Sequence, residues 1–290
     1  PPAKRGAGMR LDERLVRDGF AETRARAQAA VLAGRVTVDG AVVDKPGRWI
    51  APEMRVKMTA PAHPYVGRGG VKLAHALESF GIQVRGRAAI DLGASTGGFT
   101  DCLLRAGAAR VYAVDVGHGQ LAWTLRQDPR VVVMEDTNAR GLTPGRFAGP
   151  VDLVTADLSF ISLRLLWGVI ASLVRPDGDV VVLVKPQFEA GRTAVGRGGV
   201  VRDPAVHSAV LEDVLAAAAR DGLAPRAVTA SPITGPAGNI EYLVHLRRLS
   251  SRAAASGASP PSGASRRDAP ALPDIAAAIG DAHRRFGHGA

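Results

Sequence analysis

Charged side chains flank several apolar segments of this chain, at positions where a parallel sheet would present them to a ligand. Asp157 follows the run Val-Asp-Leu-Val-Thr-Ala, Lys185 follows Val-Val-Val-Leu-Val, and Glu241 opens the apolar segment 241–247. In an open α/β sheet, ligands bind outside the carboxyl ends of the strands. Together with Lys72, these residues would form a Lys-Asp-Lys-Glu group around one substrate hydroxyl. For each residue alone, an exposed charge at a strand end is an equally good interpretation.

Lysine is rare in this chain, which makes its positions informative. The 37 basic residues are five lysines and 32 arginines, and beyond residue 60 only Lys72 and Lys185 remain. Arg stays protonated at any ordinary pH, whereas a desolvated or crowded Lys can lose its proton. Lys72 and Lys185 are therefore candidates for proton chemistry, with chance retention as the alternative.

The strongest local motif is a glycine-rich turn between an apolar segment and a helix-like one. Residues 89–100 read Ala-Ile-Asp-Leu-Gly-Ala-Ser-Thr-Gly-Gly-Phe-Thr. Glycines let a ligand approach the backbone, and the N-terminus of the next helix presents free N–H groups. A dinucleotide fingerprint would read Gly-x-Gly-x-x-Gly, whereas the order here is Gly-x-x-x-Gly-Gly, which fits S-adenosylmethionine better. The expected cofactor residues of this turn are Asp91, Gly93, Ser95, Thr96, Gly97, Gly98 and Phe99, with Asp91 holding the methionine ammonium.

The adenosine end of such a cofactor has its own candidates. Asp115 ends the next predicted strand, 24 residues beyond Asp91, and an acid there can accept both ribose hydroxyls of either NAD or S-adenosylmethionine. After the third strand, Met134 and Asp136 would clamp an adenine ring. Val116 and Asp157 complete the predicted cofactor set, and His118 is expected to line the same pocket. For the acids, capping of a helix is the structural alternative.

The elements needed to position these residues alternate between strand and helix. The strands are predicted at 88–92, 111–115, 131–134, 151–156, 180–185, 226–230 and 241–247, and the helices at 71–80, 98–106, 119–126, 162–173 and 204–221. Alternating βα units imply a mostly parallel sheet with helices on both faces. The predicted fold class is α/β: a doubly wound, mostly parallel, seven-stranded Rossmann-like sheet over residues 71–250.

Residues 10–59 predict a second, small α+β domain. Apolar spacing indicates helices at 10–21 and 22–33, followed by short strands within 34–43 and at 56–58. Residues 1–60 carry 12 Lys and Arg against 7 Asp and Glu, whereas residues 61–250 carry 20 against 17. A basic module on a nearly neutral body favours a polyanion such as RNA as partner, with an evenly solvated basic surface as the alternative. The candidates for phosphate contacts are Arg10, Arg14, Arg24, Arg26, Arg35 and Arg68.

The remaining segments and the composition narrow the class of protein. Residues 1–9 are predicted to be a disordered leader, 60–70 a linker, and 251–290 a low-complexity tail with a possible helix at 271–286. The lone Cys102 excludes a disulfide scaffold, and neither His63 nor His118 has a Cys/His cluster around it, so no metal is expected. No segment has the length and apolarity of a membrane span, and the chain does not open on a signal peptide. We therefore expect a soluble, cytoplasmic protein whose oligomeric state the sequence leaves open.

Two resemblances follow from motifs that run in order from residue 10 to 246. These motifs are Arg-Leu-Asp, Gly-Arg-Val-x-Val-Asp-Gly, Arg-Gly-Gly-Val-Lys-Leu, the glycine-rich turn, Asp-Val-Gly-His-Gly-Gln-Leu, Ala-Asp-Leu-Ser-Phe-Ile-Ser, Val-Lys-Pro-Gln-Phe-Glu and Gly-Asn-Ile-Glu-Tyr. Residues 71–246 resemble the FtsJ/RrmJ-like ribose 2′-O-methyltransferases. The chain from residue 10 onward resembles the haemolysin-A-like TlyA family of ribosomal RNA methyltransferases, in which an S4-type RNA-binding domain precedes the catalytic domain.

The resemblance implies an activity and assigns roles. It implies methyl transfer from S-adenosylmethionine to the 2′-hydroxyl of a cytidine in ribosomal RNA of one or both subunits, with Lys72, Asp157, Lys185 and Glu241 as catalytic tetrad. We expect Lys185 to contact the attacking oxygen, Asp157 to orient it, Lys72 to position the ribose or phosphate, and Glu241 to anchor a lysine.

The sequence disfavours three other functions. A non-enzymatic ribosome-assembly protein is disfavoured by the complete tetrad and the glycine-rich turn. A membrane-active haemolysin is disfavoured because the chain shows no long apolar segment, secretion signal or strongly amphipathic basic helix. A nicotinamide-dependent oxidoreductase is disfavoured by the glycine spacing.

Overall fold

The structure is a computed structural model that describes residues 8–21, 23–59, 63–191, 194–250 and 273–287. Residues 1–7 of the predicted leader, residues 60–62 of the predicted linker and most of the low-complexity tail lie outside these ranges. The predicted disorder is wrong at residue 9, because Met9 pairs with Ile50 as part of a strand. The described part divides into a small N-terminal domain and a larger domain built on one sheet.

The N-terminal domain packs two helices against short antiparallel strands. Its elements are β1 (Met9–Arg10), α1 (Leu11–Arg17), α2 (Arg24–Leu32), β2 (Val36–Val38), β3 (Ala41–Val42), β4 (Trp49–Ile50) and β5 (Val56–Met58). Strand β2 pairs with β3 and β5, and β1 pairs with β4. The apolar faces of both helices meet the strands in one core that includes Leu11, Leu15, Val31 and Ile50. The predicted small α+β domain is therefore present.

The larger domain is a seven-stranded sheet whose strands are mostly parallel. Its strands are β6 (Ala88–Leu92), β7 (Arg110–Val114), β8 (Val131–Met134), β9 (Val151–Ala156), β10 (Val174–Val184), β11 (Leu223–Ala230) and β12 (Tyr242–Arg248). Their spatial order is β11-β12-β10-β9-β6-β7-β8. Strand β12 runs in the direction opposite to the other six strands and is antiparallel to both of its neighbours. The predicted doubly wound α/β fold is confirmed.

Alternation of side chains along the strands explains why helices cover both faces. Ile90 and Leu92 of β6 join the apolar cluster under α6 (Trp167–Leu173) and α8 (Pro204–Arg220). Ala89, which precedes Ile90 and faces the other side of the sheet, joins the opposite cluster under α3 (Gly69–Ser79) and α4 (Gly98–Arg105). The short helices α5 (Trp123–Arg126) and α7 (Pro186–Glu189) and the terminal α9 (Ile275–Phe286) complete the described helices longer than a single 3₁₀ turn.

The order of strands determines where a ligand can bind. From β6 the chain moves to β7 and β8 on one side and later to β9 and β10 on the other. The loops at the carboxyl ends of β6 and β9 therefore separate and open a crevice between them. This crevice holds the residues described below.

One predicted helix is mostly absent. Residues 119–126 were expected to be helical, but only Trp123–Arg126 are. The backbone N–H groups of Gly119, Gln120 and Leu121 instead donate to the carboxylate of Glu135, and Gly119 adopts a left-handed φ of 67°. A side chain from a neighbouring strand thus replaces the first helical turn.

The predicted terminal helix is present as α9, which packs on α8 and β11. His207 of α8 is fully buried at this junction, with His283 Nε2 3.0 Å and the Tyr242 hydroxyl 2.9 Å from its Nδ1. Burial and the neighbouring His283 lower the pKa of His207 to about 4. Over the ranges that the structure describes, the helices are too short or too polar to cross a membrane.

Candidate active site

The first of two lysine–carboxylate pairs joins α3 to the start of β12. Lys72 lies in the first turn of α3, and Glu241 immediately precedes β12. Lys72 Nζ donates to Glu241 Oε2 at 2.5 Å, and the two side chains are 9% and 1% exposed. A buried pair this close fixes the ammonium group in one position.

The second pair lies at the carboxyl ends of β9 and β10. Lys185 Nζ is 2.7 Å from Asp157 Oδ1 and donates to Ser159 Oγ at 2.8 Å. Neighbouring parallel strands bring these residues together, as predicted for strand-end charges. Their side chains are 11% and 21% exposed, so this pair is more accessible than Lys72–Glu241.

Two glycines of the turn after β6 are required by close packing. Gly93 has a φ of 83°, and a Cβ there would lie 2.5 Å from the carbonyl oxygen of Asp157. Gly97 has a φ of 97°, and a Cβ there would lie 2.2 Å from Leu125 and 2.8 Å from Leu121. The turn is therefore pressed between the Asp157 backbone on one side and the segment 121–125 on the other. Beyond it, α4 begins with Gly98 and Phe99 and presents its first N–H groups.

Asp91 lies behind the turn. Its carboxylate is fully buried and accepts hydrogen bonds from Thr100 Oγ1 at 2.7 Å and Thr155 Oγ1 at 3.3 Å. Burial raises the pKa of Asp91 to about 7, although the Thr100 bond opposes the rise. Asp91 does not line the cavity that the two lysine pairs share, and its predicted contact with a cofactor ammonium stays a prediction.

Asp115 links the loops after β6 and β7. Its Oδ2 accepts from the N–H of Ser95 at 2.8 Å, and its Oδ1 accepts from the N–H of Gly117 at 2.7 Å. The carboxylate is partly exposed, as an acceptor for ribose hydroxyls must be.

The outer part of the predicted adenosine site is open to solvent. Val116 is 69% exposed and Met134 is half-buried. Asp136 adopts a φ of 54° and pairs with His118 Nδ1 at 2.8 Å, which raises the pKa of His118. These residues lie on the open surface beside Asp115, outside the cavity at the lysine pairs and the cleft between the domains.

A cavity of about 280 Å³ joins the two lysine pairs to the glycine-rich turn. The predicted residues that line it are Lys72, Gly93, Ser95, Thr96, Gly98, Phe99, Asp157, Lys185, Glu241 and Arg68. Asp91, Gly97, Asp115, Val116, Met134 and Asp136 are not part of its lining. The N-terminal domain contributes Leu32 and Asp44 to the same cavity, which the sequence did not indicate.

Several arginines predicted to bind RNA already have partners within the N-terminal domain. Arg10 and Arg24 both donate to the fully buried carboxylate of Asp12 at 3.0 Å. Arg14 pairs with Asp18 and is only 13% exposed. These side chains hold the domain together, and their predicted phosphate contacts stay predictions.

The other predicted arginines lie near the junction of the domains. Arg68 Nη2 donates to the Thr234 carbonyl at 3.0 Å, at the edge of the cavity. Arg26 and Arg35 line a cleft of about 440 Å³ between the domains, which also reaches Thr96 of the glycine-rich turn.

Three functional candidates were missed by the sequence reasoning. Ser159 contacts Lys185, and Phe160 lies beside it with a φ of 63° and 90% exposure. The ring of Phe160 is 5.0 Å from that of Phe188, which lies near the Lys185 ammonium. For the two phenylalanines the available signal is their spacing, three residues beyond each of the strand-end charges Asp157 and Lys185.

A doubly wound sheet whose carboxyl edge carries a glycine-rich turn next to two lysine–carboxylate pairs is typical of a methyltransferase. Residues 65–248 match the FtsJ-like methyltransferases and residues 9–56 match the S4 domain. The chain belongs to the FtsJ-like methyltransferase family.

Relatives that match more than four fifths of this chain support this assignment. The 16S/23S rRNA (cytidine-2′-O)-methyltransferase TlyA of Mycobacterium tuberculosis is 49% identical over 84% of this chain and 91% of its own. Hemolysin A of Brachyspira hyodysenteriae is 41% identical over 82% and 99%, respectively. A solved structure from Streptococcus thermophilus that carries a hemolysin name superposes with a TM-score of 0.72, at 41% identity, over 97% of both chains.

S-adenosylmethionine is the cofactor that this family assignment implies, and the residues present fit it. The cavity of about 280 Å³ lies directly against Gly93, Ser95, Thr96 and Gly98 of the turn. Gly67 and Gly69, just before and at the start of α3, pack closely on the turn, because a Cβ on Gly67 would lie 2.8 Å from Thr96 Oγ1 and one on Gly69 would lie 3.2 Å from Phe99. The start of α4 offers N–H donors to a carboxylate, and Asp115 offers an acceptor for ribose hydroxyls.

Proposed function

We propose that this chain methylates the ribose 2′-hydroxyl of a cytidine in ribosomal RNA. The observation that carries the proposal is the cavity in which Lys72–Glu241 and Lys185–Asp157 meet the glycine-rich turn. A 49% identical relative is named for this reaction on both 16S and 23S RNA, which supports the same substrate class and both subunits here.

Methyl transfer to an alcohol needs the oxygen in line with the leaving group and a partner for its proton. S-adenosylmethionine, when bound, supplies the electrophilic methyl group. Lys185, whose partner Asp157 is the more exposed of the two carboxylates, contacts the 2′-oxygen and as a free amine accepts the hydroxyl proton while the oxygen–methyl bond forms and the sulfur–methyl bond breaks. Asp157 and Ser159 hold the resulting ammonium in place. Lys72, fixed by Glu241, stabilises negative charge on the ribose oxygen or the adjacent phosphate.

The cofactor is held by the turn and its neighbours. Gly93, Ser95, Thr96, Gly98 and Phe99 form the wall next to the tetrad. Asp115 accepts the ribose hydroxyls, and Val116, Met134 and Asp136 cover the adenine. Asp91 acts through Thr100 at the start of α4 and keeps the turn in register.

RNA is held by charge and by stacking. Arg26, Arg35 and Arg68 border the space between the domains and contact phosphates of the RNA. Such contacts contribute binding affinity but do not distinguish one RNA sequence from another. Arg10, Arg14 and Arg24 extend this basic surface around the first helices. Phe160 offers an exposed aromatic face next to the lysine that meets the ribose. Because ribosomes assemble and act there, the cytoplasm is the proposed location.

Two linked measurements test the proposal. Calorimetric titration should detect S-adenosylmethionine binding, and labelled methyl groups should appear in RNA of intact or separated ribosomal subunits. K185A should bind the cofactor nearly as well as the unmodified chain but transfer no methyl group. Full activity of K185A would contradict the role given to Lys185, and RNA binding that is insensitive to salt would contradict the phosphate contacts.

A further inference from the structure

Glu135 is a largely buried carboxylate that binds a backbone segment lying 14–16 residues before it in the chain. It follows β8 directly, and its side chain is only 10% exposed. Its carboxylate accepts three consecutive backbone N–H groups, from Gly119 at 2.9 Å, Gln120 at 3.0 Å and Leu121 at 3.3 Å. Arg126 also donates to it. Burial alone would raise the pKa of Glu135, but the bonds from Arg126, Gly119 and Leu121 outweigh burial and lower the pKa to about 2.

Arg126 closes the same structure from the other side. Its Nε donates to the carbonyl of Leu121 at 3.1 Å, while its Nη2 pairs with Glu135. The segment 119–121 is therefore held through its N–H groups by a carboxylate and through one carbonyl by a guanidinium. Neither Glu135 nor Arg126 lines the cavity of the tetrad.

The segment held in this way touches the glycine-rich turn at three places. The Leu121 side chain packs against Gly97 so closely that a Cβ on Gly97 would lie 2.8 Å from it. The N–H of Ala122 donates to the Thr96 carbonyl at 3.1 Å. Ser95 Oγ lies 3.4 Å from Gln120 Oε1. The loop from Gly117 to Ala122 thus forms the outer support of the turn.

We propose that Glu135, with Arg126, is a positioning residue for the cofactor: it fixes the loop 117–122 against the glycine-rich turn and so sets the affinity for S-adenosylmethionine. Neither residue of the pair contacts the tetrad, whereas Gln120, whose N–H Glu135 accepts, and Ala122 line the interdomain cleft. The pair therefore acts on cofactor binding rather than on the methyl-transfer step. This inference rests on the proposed function, since it names a determinant of the same cofactor site.

E135Q is the direct test, because it keeps the shape of the side chain and removes its charge. The amide would turn an N–H₂ donor toward a group of donors, which weakens the hold on the loop. The dissociation constant and the KM for S-adenosylmethionine should rise about 10- to 100-fold. The kcat at saturating cofactor should stay within about twofold, because the tetrad is unchanged.

Two further variants keep the inference decisive. R126M removes the second partner while leaving the carboxylate in place, and it should shift the KM in the same direction by a smaller factor. E212Q, at an exposed position of α8, is the matched control and should leave both constants unchanged. If the unmodified chain binds no S-adenosylmethionine, the proposed function fails. If that chain binds and E135Q and R126M bind equally well, or lose kcat with the KM unchanged, this inference is overturned.

Discussion

Replacing Lys72 by Met would leave the carboxylate of Glu241, which is 1% exposed, without its counter-charge. Breaking a buried ion pair by removing one partner costs about 3–5 kcal/mol, whereas replacing both partners with apolar residues of similar volume is often neutral. K72M should therefore destabilise the protein by about 3–5 kcal/mol. The double variant K72M/E241M should recover most of that loss. Both variants should be inactive, because the ammonium group next to the ribose is gone.

Measuring the melting temperature and the cofactor affinity of each variant separates a loss of stability from a loss of methyl transfer. At about 2–4 °C per kcal/mol for a domain of this size, K72M should melt about 6–20 °C below the unmodified chain. The control is R285M in the pair Arg285–Asp281, whose side chains are 44% and 38% exposed. An exposed pair contributes at most about 1 kcal/mol. The reasoning would be refuted if K72M melted within about 2 °C of the unmodified chain, or if the double variant regained methyl transfer.

Three other predictions rest on single residues. In the folded protein the pKa of Asp91 is about 7, above its unfolded value of 3.8, so the free energy of unfolding should fall by up to about 4 kcal/mol as pH rises from 4 to 8. Urea unfolding of D91N should show no such fall across this range. In the folded protein the pKa of His207 is about 4, below its unfolded value of 6.5, so the free energy of unfolding should fall by up to about 3 kcal/mol as pH drops from 6.5 to 4. The free energy of unfolding of H207Q should depend less on pH in this range, and an equal dependence would contradict the assignment. F160A, at a 90% exposed position, should change stability by less than about 0.5 kcal/mol yet weaken RNA binding about 5- to 100-fold in a filter-binding assay; unchanged RNA affinity would contradict the stacking role.

Most of the fold followed from local patterns, because most strands of the sheet contain an apolar run bounded by turn residues. The exceptions are the first halves of β10 and β11, which begin before their predicted starts at 180 and 226 with polar residues or proline in the strand. The meeting of Lys185 with Asp157 followed from strand-end geometry, since parallel neighbours bring their carboxyl ends to one edge. The pairing of Lys72 with Glu241 did not follow from geometry alone. The family resemblance implied only that Glu241 anchors one of the lysines and not which one, because α3 reaches β12 only through tertiary packing.

What the sequence could not indicate depends on long-range contacts. The loss of the first turn of the predicted helix at 119–126 depends on Glu135, which lies 14–16 residues further along the chain. The commitment of Arg10 and Arg24 to Asp12 depends on how α1 and α2 pack. Leu32 and Asp44 reach the cavity only because the N-terminal domain docks there.

The central claim is most directly tested by identifying the methylated atom. Ribosomal subunits that lack the modification, incubated with this chain and methyl-labelled S-adenosylmethionine, should yield label in 2′-O-methylcytidine after digestion to nucleosides, and none with K185A. Label on a base nitrogen or carbon, or no label despite measured cofactor binding, would contradict the assignment of the tetrad to ribose 2′-O-methylation.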